Sequence, residues 1–484
     1  MGKIRRLAGE TVLYGLGSIL PRAINFLLVR WHTLAFAPEE YGVVTSLYAY
    51  ATFINVIYMF GMETAYFRFA TKPGADEKKI FNLAQSSVLA ISLPISALLI
   101  LFRSQVADVL GISTHPEYVT WFVVIMFVDA LVAIPFARLR IQKKALLYAA
   151  GKLINIGIVV VPTWYFLKLT YDPSVGIDVG FIFLINLIAN LFYLFFFART
   201  LLSWRPAYDR AISPHMFSYA YPIMITGLAG MTNETFSRTT LSWWLPKNFY
   251  PGKTSEYALG IFGAAYKFAV LMNLVVQAFK YAAEPFFFSN ASDKNSPELF
   301  ARINHYFVIA CCTLLLAVSI NMDVIKHIFL GDPQYWEGLN IVPILLLAYL
   351  FLGVYYNLSV WFKLTDKTYF GTLLAVGGAV ITIGGNYLLI PIAGYLGSSW
   401  VTLICYLVMT VASYMIGQKY YPIPYRVKQD LLYIVLTMGL VYGVTEGIEI
   451  ENAIVSFVVH QVVLLAYLFV IYLLERRAFR QTAA

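Results

Sequence analysis

The sequence predicts an all-α integral membrane protein with about fourteen transmembrane helices. Composition is the first reason. Of 484 residues, 60% are hydrophobic and only 13% are charged, against about 45–50% apolar and about 25% charged in soluble domains. The second reason is a succession of apolar stretches of the length a bilayer crossing needs, about 20 residues. The third is the Lys/Arg content of the connections, which alternates sharply from one to the next.

The spans, numbered 1 to 14 in chain order, run near 10–35, 41–66, 81–102, 118–137, 147–167, 180–200, 217–244, 257–283, 303–322, 341–362, 369–390, 397–417, 430–446 and 453–474. Every connection is short, so none holds a separate catalytic domain. With the N-terminus inside, the connections on that side carry 25 of the 35 Lys and Arg residues. The opposite loops carry five, namely Arg103, Lys168, Lys247, Lys253 and Lys326, and the spans themselves carry the last five. This bias places both termini in the cytoplasm. It also accounts for the net charge of +9 without a nucleic-acid partner. The basic start, Met1 to Arg6, precedes an apolar stretch too long for a signal peptide and lacks the myristoylation pattern. Many of the 35 Tyr and 36 Phe residues suit interfacial aromatic belts. Cys311, Cys312 and Cys405 lie in apolar runs and read as small hydrophobes. No metal-ligand spacing is present, and no cofactor is expected.

An internal repeat emerges when Gly42 is set against Gly260, an offset of 218. Tyr48 then meets Tyr266, Ala51 meets Ala269, Asn55 meets Asn273 and Ala65 meets Ala283. One span earlier, at an offset of 208, Asn25 meets Asn233 and Arg30 meets Arg238. Spans 1–2 therefore relate to spans 7–8 in the same orientation, a parallel repeat of the kind transporters use. The expected domains are a six-helix bundle over 1–210, a second over 211–420 and an additional helix pair over 421–484. Prolines 21, 94, 135, 162, 222 and 343 interrupt spans. Such breaks are tolerated in lipid where neighbours or cavity water satisfy the freed carbonyls.

Five cations lie inside spans: Arg22, Arg30, Arg238, Lys267 and Lys280. A charge near the bilayer centre costs roughly 2.5–3.5 kcal/mol on the insertion scale, so retained charges have a use. Glu234 and Arg238 are an i, i+4 pair, and Lys280 stands four residues before Glu284. Cations outnumber the intramembrane acids Glu63, Asp129 and Glu234, and the excess falls in spans 1, 7 and 8. A cationic central cavity follows, suited to phosphate or carboxylate, with Asn25 and Asn233 close to it in sequence. Arg grips phosphate bidentately and Lys acts as a point charge. Asp129 and Glu63 are the coupling-ion candidates, since lone intramembrane carboxylates serve in ion relays. A phosphate-binding P-loop, a G-x-S-x-G elbow and an H-E-x-x-H motif are all absent, so no enzyme is expected. The longest outer loop, about 15 residues, leaves little room for polymerase or ligase chemistry.

Glu10–Phe69, with its "PEEYG" between spans 1 and 2, resembles the start of bacterial polysaccharide flippases of the Wzx type. Tyr257–Phe288 is similar to the corresponding region of that family. The family belongs to the superfamily of multidrug, oligosaccharidyl-lipid and polysaccharide exporters. The resemblance implies two six-helix bundles in a V, with the extra pair appended, in the bacterial inner membrane. It implies an undecaprenyl-diphosphate-linked oligosaccharide as substrate, such as an O-antigen or other surface-polysaccharide unit. That substrate would cross from the cytoplasmic to the outer leaflet by alternating access. The bilayer is the other partner implied, with polysaccharide polymerase machinery beyond it. Many Wzx-type members have twelve spans, whereas fourteen is the pattern of the lipid II flippase branch, so that substrate remains an alternative. A cation-coupled multidrug antiporter of the same fold is the other, although it calls for a carboxylate-rich cavity.

Overall fold

The computed structural model describes residues 20–21, 23–167, 178–290, 295–447 and 452–482. Among them every regular element is helical, including one 3₁₀ segment, Pro333–Ile341. Among the described residues ten helices are long and apolar enough to cross a membrane, and shorter helices accompany them. Leu432, Val435, Leu465 and Phe469 are exposed on the last two. Such surface suits lipid rather than water. The protein is a multi-pass integral membrane protein.

The difference from the fourteen expected spans has identifiable causes. Spans 11 and 12 fall in one helical run, Tyr369–Tyr420, broken only at Gly394, where φ is 55° and ψ −136°. At 1.5 Å per residue that run measures about 78 Å, more than two hydrocarbon thicknesses. Gly394 is required there. A side chain would meet the Tyr250 hydroxyl at 2.2 Å, and Tyr250 accepts the Tyr395 N–H at 3.3 Å. Span 6 is the 17-residue helix Gly180–Phe196. Span 7 is the 32-residue helix Ser213–Trp244, whose eight polar residues from Thr232 to Thr240 dilute its hydropathy. Most of span 1 lies outside the described residues. Pro343 is a correction to the expected kinks. It sits in the first turn of helix Val342–Leu358, where proline lacks only a donor that had no intrahelical acceptor. Prolines 94, 135, 162 and 222 do lie inside helices. Span 2 breaks at Phe60 and Gly61, both left-handed, into Pro38–Met59 and Met62–Ala70. Gly61 is pressed against span 7, since a Cβ there would meet the Ala220 carbonyl oxygen at 2.5 Å.

By contact the chain forms two units, Met1–Ala264 with Tyr369–Cys405, and Ala265–Thr368 with Tyr406–Ala484. In the first, helix Pro116–Ile141 packs on Pro38–Met59, Glu77–Leu101 and Gly180–Phe196. Tyr48, Phe122 and Phe183 meet edge-on or tilted at its centre. Helix Ser213–Trp244 bonds to the Tyr369 helix through Thr226 and Thr372 at 2.8 Å and through Asn386 Nδ2 to Ser237 Oγ at 3.1 Å. Ala229, Ala375 and Ala379 pack between them. Small residues of this kind let membrane helices approach closely.

The same unit carries a signature of the repeat. A Cβ on Gly42 would lie 2.1 Å from the Glu256 oxygen, and a Cβ on Gly260 would lie 1.8 Å from the Pro38 oxygen. Glu256 is Pro38 shifted by 218, as Gly260 is Gly42 shifted by 218. Gly263 likewise meets Thr45 Oγ1 at 2.3 Å from an added Cβ, and these two are also 218 apart. Residue i touches the equivalent of j, and j touches the equivalent of i, which is the contact pattern of a two-fold interface.

In the second unit, helix Ser296–Ile320 packs on Val342–Leu358, Val427–Thr445 and Ala453–Thr482. The Tyr266 and Tyr349 hydroxyls bond at 2.5 Å. Gly353 admits the Phe307 ring, 2.4 Å from an added Cβ.

Candidate substrate site

Helix Ser213–Trp244 presents three polar rows. Asn233 and Ser237 point to the Tyr369 helix: buried Asn233 donates to the Ala375 carbonyl at 3.1 Å and receives Thr382 Oγ1 at 3.5 Å. Thr235 and Thr239 point to span 2, through Thr52 Oγ1 at 3.2 Å and through Tyr50 Oη, which donates to the Thr239 carbonyl at 3.3 Å. Glu234 and Arg238 lie one residue from each row. Helical periodicity therefore sets them on the wedge between the two neighbours. Both are half-buried. Arg238 Nη2 donates to the Glu234 backbone oxygen at 3.2 Å, and Tyr41 lies within its electrostatic reach. Arg30 is half-buried on helix Val29–Ala35. Asn25 is exposed, unlike its repeat partner Asn233. Arg22 lies outside the described residues.

Lys267 and Lys280 belong to the second unit, on helix Ser255–Asn290. Lys267 is half-buried between fully packed Tyr266 and Phe268. Lys280 sits 4.2 Å over the Tyr356 ring, and both border a small cavity with Asn357 and Lys363. The side chain of Glu284, its expected partner, lies outside the described residues.

The two coupling-ion candidates each have company. Glu63 is ion-paired with Arg140, whose guanidinium also lies 4.6 Å over Phe67. Asp129, half-buried on helix Pro116–Ile141, is hydrogen-bonded by Asn190 and faces the charge of Lys152. Asn155 Nδ2 donates to the Ala189 carbonyl at 2.7 Å and reaches Asn190 Oδ1 at 3.5 Å. Lys152 lies 4.1 Å over the Phe136 ring. Sequence reading counts Lys152 among loop cations. In the fold it is the second helical turn of Ala145–Tyr165 that aims it at Asp129.

No protein-family model matches the sequence, and no curated protein matches it. Solved structures do. The lipid II flippase MurJ, in an inward closed conformation, superposes with a TM-score of 0.73 at 12% identity, covering 95% of this chain and 99% of that one. An inward-facing multidrug-resistance MATE family transporter of the MOP superfamily gives 0.65 at 13% identity, over 84% of this chain and 97% of that one. An outward-facing MATE transporter gives 0.58 at 13%, over 86% and 94%. The chain shares the fold of these solved transporters.

Two charged groupings in this fold escape sequence reasoning. In the second unit fully buried His305 places Nδ1 2.5 Å from Asp430 Oδ1 and Nε2 3.1 Å from Glu475 Oε1. Asn304 Nδ2 donates to Asp430 at 3.3 Å, and Tyr433 Oη to Glu475 at 2.9 Å. Asp430 and Tyr433 lie on span 13 and Glu475 just past span 14 in helix Ala453–Thr482, so this knot fastens the appended pair to span 9. The partners stand 125 and 170 residues from His305, and no local spacing betrays them. In the first unit a cleft of about 930 Å³ opens between residues 68–80 and 211–219. Its only sequence signal is the Lys/Arg content of the two connections.

Proposed function

We propose that this protein is a flippase for lipid-linked oligosaccharide, of the Wzx type, working by alternating access. The observation that carries the reading is the cation excess in spans 1, 7 and 8, set against acids that are already compensated. Arg30, Arg238 and Lys267 are half-buried within otherwise apolar spans, where a retained charge implies a use. Glu63 has Arg140, and Asp129 has Lys152 and Asn190. The intramembrane cations, Arg22 among them, hold the substrate diphosphate, with Glu234, Asn25 and Asn233 beside them. The two six-helix bundles over 1–210 and 211–420, the helix pair over 421–484 and the cytoplasmic termini of a bacterial inner-membrane protein are part of the same proposal. Polysaccharide polymerase machinery would take the product.

One observation favours a second substrate. The MurJ likeness extends over 95% of the chain while the MATE likenesses stop at 84–86%, which supports a lipid II type cargo. The antiporter reading needs a free carboxylate, and the pairing of Asp129 and Glu63 weighs against it. Export assays in cells test the proposal. Arg238→Ala and Lys267→Ala should each abolish glycan export with membrane insertion intact, and normal export by both would sink the cationic site. Resistance to cytotoxic cations that is lost on Asp129→Asn would favour the antiporter instead.

A further inference from the structure

The cleft of the first unit lies outside the intramembrane charges, on the face that bears the basic connections. Helix Met62–Ala70 ends in its wall, and helix Ser213–Trp244 begins there. Arg68 stands 4.3 Å over the Tyr219 ring, and Lys72 stands 4.3 Å over the Phe69 ring. The two rings meet edge to face with centroids 6.3 Å apart. Two cations are thus propped on one aromatic floor. Each is attracted to a ring face without being neutralised by it. Asp76, Lys79, His215 and Ser218 complete the polar lining.

The carboxylates nearby are committed elsewhere. Asp76 Oδ1 caps helix Glu77–Leu101, accepting the Lys78 N–H at 3.0 Å and the Lys79 N–H at 3.2 Å. Asp209 takes Lys79 Nζ at 2.7 Å and the Ala211 and Ile212 N–H groups at 2.8 and 3.1 Å. The bond to Lys79, with the backbone donors, holds the Asp209 carboxyl below its ordinary range, so it stays anionic and bound. Among the described residues neither Arg68 nor Lys72 has a carboxylate partner. Orientation in the membrane asks only for positive charge in a loop. It does not ask for two cations staged on paired rings in an open cleft whose lining acid, Asp76, is turned to capping a helix.

We propose that this cleft is a docking site for a phosphate-bearing lipid headgroup, with Arg68 and Lys72 gripping the phosphate oxygens. The headgroup is the diphosphate of a lipid-linked substrate or the phosphate of an acidic phospholipid. The first source rests on the function proposed above and the second does not.

The test places a fluorescent reporter on Ser218→Cys in the full-length protein. Cys311, Cys312 and Cys405 are buried, so labelling is confined to the exposed cleft position. Inorganic pyrophosphate should give a saturable signal. Arg68→Gln with Lys72→Gln should weaken it at least about tenfold, since charge-assisted bonds carry that much. Arg103→Gln, at an exposed cation outside the cleft, should leave it unchanged. Displacement by farnesyl diphosphate, and not by phosphatidylglycerol, supports the site with the carrier as source; displacement by phosphatidylglycerol supports it with bulk lipid as source. Equal affinity in the Arg68/Lys72 double variant, or no saturable signal from any of the three probes, overturns it. Binding retained by a protein that flips no glycan would fault the flippase reading and leave the cleft standing.

Discussion

The His305 knot and the Arg68 cleft are both charged places, and they are built on opposite plans. In the knot one imidazole lies between two carboxylates, all side chains are at most about a tenth exposed, and Asn304 and Tyr433 add donors. In the cleft two cations are exposed, stand on rings and have no acid. Saturation locks three helices together and leaves nothing for a ligand. Aromatic staging holds a charge in place while keeping its donors available. The same residue chemistry thus serves packing in one unit and supplies an open anion surface in the other.

Substitutions can break or sharpen this contrast. The largest effect belongs to the knot: His305→Ala leaves two buried carboxylates without their central donor, and uncompensated buried charge costs about 3–5 kcal/mol. A steep loss of thermal stability in detergent should follow, and a parent-like melt would show the knot to be dispensable. Next come Gly42→Ala and Gly260→Ala, whose added carbons land on backbone oxygens. Overpacking of this kind costs typically about 1–3 kcal/mol. The repeat requires the two losses to match, and a large loss at one position alone would contradict the two-fold contact. In the cleft, Arg68→Gln with Lys72→Gln should shift stability by no more than about 0.5 kcal/mol, as exposed substitutions do. A large loss there would make the cations structural and erase the contrast. The smallest effect is at Asp209. Its depressed carboxyl contributes stability present above the ordinary carboxylate range and lost as pH falls through the folded value. Asp209→Asn should therefore remove a slight stabilisation at neutral pH and flatten the acid-side dependence, the two proteins converging as pH falls, as seen in melts between pH 3 and 7.

The fold was legible in the sequence to the extent that hydropathy and offset are one-dimensional signals. Apolar length located ten helices long enough to cross, and the 218-residue offset pairs Gly42 with Gly260, which exchange partners in the fold. The division of Tyr369–Tyr420 into spans near 369–390 and 397–417 brackets Gly394, where the helical backbone breaks. Pro343 was misplaced because a proline that opens a helix and one that kinks it look alike until the boundary is known. For the site, the relation of Glu234 to Arg238 was visible as an i, i+4 spacing. The companions of Glu63 and Asp129 were not, since Arg140 lies 77 residues away and Lys152 and Asn190 lie on two other helices. Lone intramembrane acids in a sequence are for this reason poor evidence of a free carboxylate.

The most direct measurement is flipping in liposomes. The purified protein is reconstituted with a fluorescent undecaprenyl-diphosphate oligosaccharide, and access of the label to an external reagent is followed over time. The proposed function predicts movement in the parent protein that is lost in Arg238→Ala and in Lys267→Ala, with both variants melting like the parent. Undiminished flipping by both variants would contradict the cationic site. Transport of a small organic cation with no glycan movement would contradict the flippase itself.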